Sequence, residues 1–206
     1  MYLVDKKAVE TLQLPEEDYL IIPDRTYYDY VYDAQKLRTF SGKKYHKKKN
    51  HLNGFKKQYE GRYRFQLLNK THKQEILEFL EEWKKTKTHS EEHEFIECEA
   101  KGIRFILNNE GVFDYKIGGV YIDDKLEAFC IGTYYEQEDM VYLPVEKANH
   151  EIRGLYQYIC SQFLIEAFPN AGKENREDDM GLEGLRKSKL SYNPIYMVEK
   201  YTIIQK

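Results

Sequence analysis

The sequence contains one strongly basic stretch, which runs from Lys43 to Lys57. It holds seven lysines, two histidines and no acidic residue. Ammonium groups attract phosphate as point charges, and imidazole and carboxamide side chains add hydrogen-bond donors. The candidate anion-binding residues of this stretch are Lys43, Tyr45, His46, Lys48, Asn50 and His51. A solvated helix face has the same composition, so an anion site and an ordinary surface helix both remain open.

An acidic turn forms the second feature with chemical potential. Asn175, Arg176, Glu177 and Asp178 precede a short helical segment that contains Lys189. A carboxylate at the end of a strand can orient or deprotonate an incoming amine. Acidic residues before a helix also stabilise its positive end. The two carboxylates are therefore candidates either for catalysis or for capping, which Asp178 or the following aspartate could provide.

A proline inside a predicted strand is the third feature. Pro144 lacks the N–H that a sheet ladder requires, so this strand is either an edge strand or bulged at this point. A bulge frees a backbone N–H that can hold the carbonyl oxygen of an acyl group. Glu146 lies two residues beyond the proline and is a candidate general base for acyl transfer.

A possible metal motif has a simpler explanation. The run from His89 to His93 matches H-x-x-E-H, a metalloprotease pattern. It lies at a charged helix start that Thr88 and Glu91 can cap, so no metal site is expected. The sequence has no G-x-x-x-x-G-K-[ST] loop, G-x-G-x-x-G motif or G-x-S-x-G motif. Nucleotide hydrolysis and dinucleotide chemistry are therefore disfavoured.

Composition limits the class of protein. The 206 residues are 41% hydrophobic and 33% charged, which is typical of a globular chain. No apolar run approaches a membrane-spanning length, and the first residues lack a signal-peptide core. Cys98, Cys130 and Cys160 are widely spaced. This spacing favours reduced thiols in a cytoplasmic protein over a disulfide framework or a zinc site.

The hydrophobic pattern predicts the elements that position these features. Strands are predicted at 19–22, 26–32, 63–68, 115–122, 126–135, 140–146, 171–176 and 195–205. Helices are predicted at 6–13, 34–40, 43–59, 151–168 and 181–189, with two more beginning near 72 and 88. Asp123-Asp124-Lys125 predicts a tight hairpin turn.

This order of elements predicts an α+β fold. A mixed sheet flanked by helices, as in acyl-CoA N-acyltransferases (the N-acetyltransferase type), accounts for the strand–helix–strand passage after the hairpin. Residues 61–206 are predicted to form that domain. Residues 1–60, with the basic helix, are predicted to be the C-terminal remnant of a first, similar domain.

Three longer runs resemble a bacterial family of uncharacterised proteins. They are DYVYDAQKLRTFSGKKYHKKKNHLNGFKKQY (29–59), VEKANHEIRGLYQ (145–157) and ENREDDMGLEGLRKSKLSYNPIYMVEKY (174–201). That family is related to the C-terminal domain of phosphatidylglycerol lysyltransferases. Its members are similar to tandem N-acetyltransferase-like folds, as in the Fem-type aminoacyltransferases. The resemblance spans nearly the whole chain and implies that the first domain is incomplete here.

The resemblance implies transfer of an aminoacyl group from tRNA to an amine or hydroxyl of a lipid or of peptidoglycan. It places the basic stretch against an anionic donor, either aminoacyl-tRNA or acyl-CoA. It implies a cleft lined by Glu146, Arg153, Asn175, Arg176, Glu177, Asp178, Lys189 and Tyr192. The implied partners are tRNA or another phosphate-bearing ligand, a peripheral membrane lipid such as phosphatidylglycerol, and a missing N-terminal domain or a second copy. A peripheral location at the inner face of the membrane would suit such an acceptor.

One departure from the fold's usual pattern concerns the donor. Members that use acetyl-CoA place Q/R-x-x-G-x-G/A where the helix after the bulged strand begins, and its N–H groups meet pyrophosphate. Here Glu151 takes the Gln/Arg position and Tyr156 the second glycine position, while Arg153 and Gly154 lie between them as candidate donor-binding residues. A glutamate repels pyrophosphate and a tyrosine crowds the backbone, so the sequence favours a different donor.

The sequence thus favours an acyltransferase or aminoacyltransferase. Glu146 or Asp178 is expected to take a proton from the acceptor, while backbone N–H groups near the bulge hold the carbonyl oxygen. Tyr192 is expected to protonate the leaving group. The alternative is a non-catalytic module, a degenerate acyltransferase fold that binds an anion or a partner domain. One half of an obligate dimer is a third hypothesis.

Overall fold

The structure, a computed structural model, describes residues 1–86, 93–109 and 111–206. Its strands are β1 (Val4–Asp5), β2 (Tyr19–Pro23), β3 (Asp29–Asp33), β4 (Tyr63–Leu68), β5 (Lys116–Ile122), β6 (Lys125–Tyr135), β7 (Met140–Ala148), β8 (Lys173–Asn175), β9 (Tyr196–Val198) and β10 (Lys200–Gln205). Its helices are α1 (Lys6–Leu12), α2 (Ala34–Thr39), α3 (His46–Gln58), α4 (Lys73–Lys85), α5 (His93–Asn108), α6 (Leu155–Glu166) and α7 (Glu183–Leu190). The capping box predicted at Thr88 and most of the H-x-x-E-H run lie outside the described residues.

A mixed sheet of seven strands forms the centre of the molecule, in the order β4-β5-β6-β7-β8-β3-β9. Neighbouring strands are antiparallel except for β7 and β8, which are parallel. A parallel pair needs a crossover connection, and α6 provides it. The predicted α+β fold, a mixed sheet flanked by helices, is confirmed.

Helices cover both faces of this sheet. Helices α2, α3 and α6 pack on one face, where Leu37, Phe55 and Ile159 are fully buried. Helices α4 and α5 cover the other face around Ile76 and Ile103. Each cluster removes a continuous apolar surface from water, which is the main favourable term in folding.

The first 60 residues contribute to the same sheet and core as the rest of the chain. Strand β3 lies between β8 and β9, and Tyr30 and Tyr32 are buried in one cluster with Tyr158 of α6. The sheet therefore crosses the boundary predicted at residue 60. The origin of residues 1–60 as the remnant of another domain stays a prediction.

The strand predicted at 195–205 is divided between two sheets. Tyr196–Val198 pairs with β3 in the large sheet, whereas Lys200–Gln205 lies between β1 and β2 in a separate three-stranded antiparallel sheet. A single residue, Glu199, separates the two strands. Periodicity could not locate this change of sheet, because both halves are extended and half-buried.

Two bulges change which way side chains point. Val120 pairs with Ala128 but Tyr121 pairs with Leu126, so β6 carries one extra residue there. Simple alternation along a strand would place Leu126 on the same face as Ala128. The bulge moves Leu126 to the opposite face, with Phe129.

The second bulge is at Pro144. Ile131 pairs with Val145 and Thr133 with Tyr142, so two residues of β7 stand opposite one residue of β6. Strand β7 is an interior strand, which confirms the bulge rather than the edge alternative. Its pairing with β8 covers only residues 140–142 and 173–175. Among the described residues, β7 and β8 make no ladder beyond that point.

Two other types of site are absent from residues 1–86, 93–109 and 111–206. No helix there is long and apolar enough to cross a membrane. No cluster of three His, Cys, Asp or Glu side chains there could hold a metal ion.

Candidate functional site

The candidate site is the region between β7 and β8 beyond the end of their ladder, which is called the interstrand gap below. Its two walls carry opposite charges: Glu146 on β7 and Arg176 just after β8. A guanidinium nitrogen of Arg176 lies 3.3 Å from Oε2 of Glu146. Both side chains are about nine-tenths buried, with 10% and 13% of their surface exposed. The bulge at Pro144 and the end of the β8 ladder thus bring together two residues far apart in sequence.

Arg176 lies at the centre of a buried polar network. Its Nε donates to Oε2 of Glu174 at 2.6 Å, and a terminal nitrogen donates to Sγ of Cys160 at 2.6 Å. The guanidinium carbon lies 5.0 Å from the centre of the Tyr192 ring. One cation is thus shared by two carboxylates, and Oε1 of Glu174 has no hydrogen-bond partner. This arrangement leaves one negative charge more than positive charge within the network.

Burial has changed the acidity of Glu146. It raises the pKa of this carboxyl above its ordinary value, and the charge of Glu174 adds to the rise while Arg176 opposes it. A general base works best when its pKa lies near the working pH. Glu146 is therefore better suited to accept a proton than an exposed glutamate would be.

Two lysines stand beside this network. The Lys189 ammonium donates to the main-chain carbonyls of Arg176 and Glu177, the second at 3.3 Å. Nζ of Lys48 lies 3.6 Å above the centre of the Tyr192 ring. Burial, reinforced by the charge of Arg176, lowers the pKa of each lysine to about 8. Both are mainly charged at neutral pH and lose that charge in mildly alkaline solution.

Tyr192 packs against Arg176 and Lys48. Its ring is buried, and its hydroxyl accepts a hydrogen bond from Nε2 of Gln157 at 2.6 Å. Burial raises the pKa of this phenol above its ordinary value, so it keeps its proton in neutral solution. Since Gln157 donates to the oxygen, the hydroxyl hydrogen remains available to another acceptor.

The acidic turn has a defined internal structure. The Asn175 side-chain oxygen accepts from the N–H of Glu177 at 2.7 Å, and Oδ1 of Asp178 accepts from the N–H of Met180 at 2.8 Å. Burial raises the pKa of both Glu177 and Asp178. Asp178 therefore closes a turn, but it does not cap α7, whose N-cap position is Leu182 and which no side chain caps. The hypothesis that an acidic residue of this turn caps the following helix is wrong. The role of Asp178 as a base stays a prediction.

The basic stretch is divided between the gap and the surface. Lys48 reaches the gap, and His51 is half-buried with a pKa that burial and nearby Arg153 lower. Lys43, His46 and Asn50 are exposed. Tyr45 is buried, and its hydroxyl donates to the Asn193 carbonyl at 3.5 Å. Of the six anion-binding candidates, the structure thus brings only Lys48 to the Arg176 network.

Helix α3 occupies the approach to the N-terminus of α6. Gly154 has φ +89°, and a Cβ added there would overlap the carbonyl oxygen of His51 and lie 2.9 Å from Cβ of Phe55. The helix begins at Leu155 rather than at 151, because Gly154 takes this left-handed conformation. Arg153 is exposed beside it. Gly154 thus packs directly against α3.

Sequence reasoning missed three members of the network: Glu174, Cys160 and Gln157. One local signal was present for the first. Glu174 and Arg176 are two residues apart at a strand, so both side chains project from the same face. The other two come from α6, and only the packing of that helix on the sheet brings them to Arg176 and Tyr192.

A separate cavity of about 340 Å³ lies away from the interstrand gap. It is lined by the segment at the start of β5, the end of β6 and the residues after α6, including Lys116, Tyr134 and Phe168. It contains none of the sequence-predicted site residues. The charged network, rather than this cavity, therefore defines the candidate site.

The chain is similar to several known proteins. A family described as "Phosphatidylglycerol lysyltransferase, C-terminal" matches residues 1–204. A conserved protein of unknown function from Bacteroides thetaiotaomicron VPI-5482 has a solved structure that is 32% identical, with a TM-score of 0.90, over 100% of this chain and 69% of that one. The structure of L-PGS from Bacillus licheniformis shares the fold, with a TM-score of 0.68 at 14% identity over 100% of this chain and 66% of that one.

A curated relative adds information on length. An uncharacterized protein of Mycoplasmoides gallisepticum is 27% identical over 175 residues, which are 85% of this chain and 55% of that protein. The chain therefore spans about half the length of the curated relative that it matches.

Proposed function

Because the chain belongs to the phosphatidylglycerol lysyltransferase C-terminal family, we propose that it transfers an aminoacyl or acyl group from an activated donor to an amine or hydroxyl acceptor. Family membership confirms the resemblance seen in the three sequence runs, and family and fold together indicate an acyltransferase-like function. The observation that carries the finer proposal is the Glu146–Arg176 pair, buried where the bulged strand parts from its parallel neighbour.

The proposed reaction uses groups that line the interstrand gap. Glu146 takes the proton from the acceptor nitrogen or oxygen, which then bonds to the carbonyl carbon of the donor. The carbonyl oxygen becomes negative and is held by backbone N–H groups on the edge of β7 that the bulge leaves without a ladder. When the bond from carbon to the leaving group breaks, Tyr192 supplies a proton to the departing oxygen or sulfur. The proton on Glu146 then restores the phenol.

The structure favours an aminoacyl ester over a CoA thioester as the donor. Helix α3 packs against Gly154 at the start of α6, where backbone N–H groups would have to meet pyrophosphate, and this crowding supports aminoacyl-tRNA as the donor. Lys48 and Lys189 lie beside the network with cationic groups that suit the phosphates of a tRNA end. The family description supports phosphatidylglycerol as an acceptor, and such a lipid requires a peripheral approach to the inner face of the membrane.

Glu146→Gln should reduce transfer by about 100-fold or more, because the amide keeps the shape of the side chain but cannot accept the proton. The assay offers charged tRNA or acyl-CoA to the protein together with phosphatidylglycerol vesicles, and measures acylated lipid. In the wild type, the rate should rise with pH as Glu146 ionises. It should fall near pH 8 as Lys48 and Lys189 lose their charge.

Glu127→Gln is the matched control for this variant. Glu127 lies on β6, its side chain is 13% exposed, and it accepts from Asn149 rather than from Arg176. Its substitution should leave the transfer rate unchanged. Wild-type turnover by Glu146→Gln would refute the assigned base, and no transfer from either donor by the wild-type protein would refute the proposed function.

A non-catalytic binding module remains a second candidate for one reason. Glu146 and Glu174 already share Arg176, so the charge of this arginine is compensated without any substrate. The function would then be limited to binding an anion through Lys48.

Lys48→Met separates the two candidates. In an enzyme, loss of this half-buried cation should lower transfer by about tenfold with folding retained. In a binding module, Lys48→Met should weaken tRNA binding, and neither the variant nor the wild type should catalyse transfer. Lys47→Met is the control, since Lys47 is the exposed neighbour on the same helix. An equal effect of the two substitutions would mean that only the surface charge of α3 matters.

A further inference from the structure

Asp179 forms a second buried ionic centre, at the far side of the acidic turn. Its side chain is fully buried, and Oδ2 accepts from the Tyr30 hydroxyl at 2.5 Å. Arg186 donates to both oxygens, at 2.8 and 2.9 Å, and the N–H of Gly181 donates to Oδ1 at 3.0 Å. Arg25 approaches to 3.3 Å. Burial would raise the pKa of Asp179, but the bonds from Arg186 and Tyr30 outweigh it and lower the pKa to about 2.

Helix capping does not account for this residue. The N-cap position of α7 is Leu182, and no side chain caps that helix. Asp179 instead joins three separate segments, namely the strand-entry residues Arg25 and Tyr30, the turn itself, and Arg186 of α7. Such a junction fixes how α7 folds back over the turn.

This orientation of α7 places Lys189 at the interstrand gap. Lys189 lies three residues after Arg186, so the two side chains share one face of α7. Arg186 donates to Asp179, while Lys189 donates to the carbonyls of Arg176 and Glu177. The Tyr32 hydroxyl holds the main chain at the same place by donating to the Lys189 carbonyl at 2.9 Å.

The turn between these contacts has a strained backbone. Glu177 and Met180 have φ of +57° and +49°, in the left-handed region that side chains with a Cβ disfavour. Such a conformation is strained for these residues and persists only where the surrounding structure holds it. Tyr30 supplies part of that hold, since its N–H donates to the Glu177 carbonyl at 3.1 Å while its hydroxyl donates to Asp179.

We infer that Asp179 is a positioning residue: it clamps α7 and the strained turn, and so holds Lys189 and Glu177 at the interstrand gap without touching substrate. The use of these positioned groups rests on the proposed function. The clamp itself is a property of the fold, so it can be tested without any turnover.

Asp179→Asn tests the clamp. The amide removes the charge that faces Arg25 and Arg186, so α7 should loosen and Lys189 should leave its two carbonyls for water. In the wild type, the pKa of Lys189 should be about 8. In the variant it should rise by about one pH unit or more toward the ordinary lysine value, because desolvation is relieved. The measurement is an NMR titration of protein whose lysines are ¹³C-methylated, with the Lys189 signal assigned from a Lys189→Arg sample.

Asp123→Asn is the matched control. Asp123 also pairs with an arginine, Arg62, and also has a positive φ, but it lies in the β5–β6 hairpin. Its substitution should leave the Lys189 titration unchanged. A folded Asp179→Asn protein with an unchanged Lys189 titration would overturn the inference.

Arg186→Lys covers the case in which Asp179→Asn does not fold. It keeps one cation for Asp179 but loses the two-point contact, so the Lys189 titration should move in the same direction by a smaller amount. An unmoved titration in this variant would equally overturn the inference. Failure of the wild-type protein in the transfer assay would count against the proposed function alone, because neither titration depends on catalysis.

Discussion

Arg176→Met should lower the free energy of unfolding by about 3–5 kcal/mol, because it removes the cation from a buried group with two carboxylates. Methionine fills a similar volume, so the loss reports charge rather than a cavity. Glu146 and Glu174 would then face each other with no counter-ion among their present contacts. Urea unfolding at neutral pH measures the effect, and transfer activity should vanish in the same protein.

The loss in this variant should depend on pH in a definite direction. Burial already raises the folded-state pKa of Glu146, and loss of Arg176, which opposes that rise, would raise it further above the unfolded-state value. Carboxyls with a raised pKa destabilise the fold when ionised, so the penalty is largest at neutral pH and shrinks as pH falls through the raised pKa. The difference in unfolding free energy between variant and wild type should therefore be smaller at pH 5 than at pH 7.

Arg62→Met is the control for Arg176→Met. Arg62 also makes a two-point contact with a carboxylate, Asp123, but more than half of each side chain is exposed. Solvent already screens such a pair, so its loss should leave the unfolding midpoint nearly unchanged. Equal destabilisation by the two substitutions would show that Arg176 is not the centre of a buried network.

Local signals in the sequence were sufficient for several features of the fold. Pro144 lacks an N–H and so required a break in the ladder, and the bulge is found there. Asp123 and Asp124 both take positive φ, as the predicted tight hairpin needs. In both cases the residues that indicate the feature lie within three residues of the feature itself. The insertion of β3 between β8 and β9 had no such signal, since its pairings join residues 140 to 169 positions apart.

The candidate site, like the fold, could be predicted from the sequence only in part. Four site residues were predicted from the sequence and are brought together by the structure: Glu146, Arg176, Lys189 and Tyr192. The predictions came from the expected bulge and from the run at 174–201. The partners of these residues could not be named, because Cys160 and Gln157 reach the gap only through the packing of α6. Their roles in catalysis stay predictions.

The same packing explains why one glycine should be required. Helix α3 approaches α6 so closely that the carbonyl of His51 lies where a Cβ of residue 154 would be. Gly154 also has φ +89°, a conformation that is strained for any residue with a Cβ. A side chain at residue 154 would therefore meet both a steric overlap with α3 and an unfavourable backbone conformation. A shift of α3 that relieved the overlap would move Lys48 away from the ring of Tyr192.

Gly154→Ala should accordingly lower the free energy of unfolding by about 3 kcal/mol, the sum of a backbone term and an overpacking term. Chemical denaturation measures it, and displacement of α3 should also raise the pKa of Lys48 from about 8. Gly54→Ala in α3 is the control, since nothing lies within 4 Å of its added Cβ. That change should stabilise by about 0.5–1 kcal/mol, because alanine favours a helix over glycine. If Gly154→Ala were as stable as Gly54→Ala, α3 would not be in contact with the start of α6. The crowding that supports the proposal of aminoacyl-tRNA over a CoA thioester as the donor would then be absent.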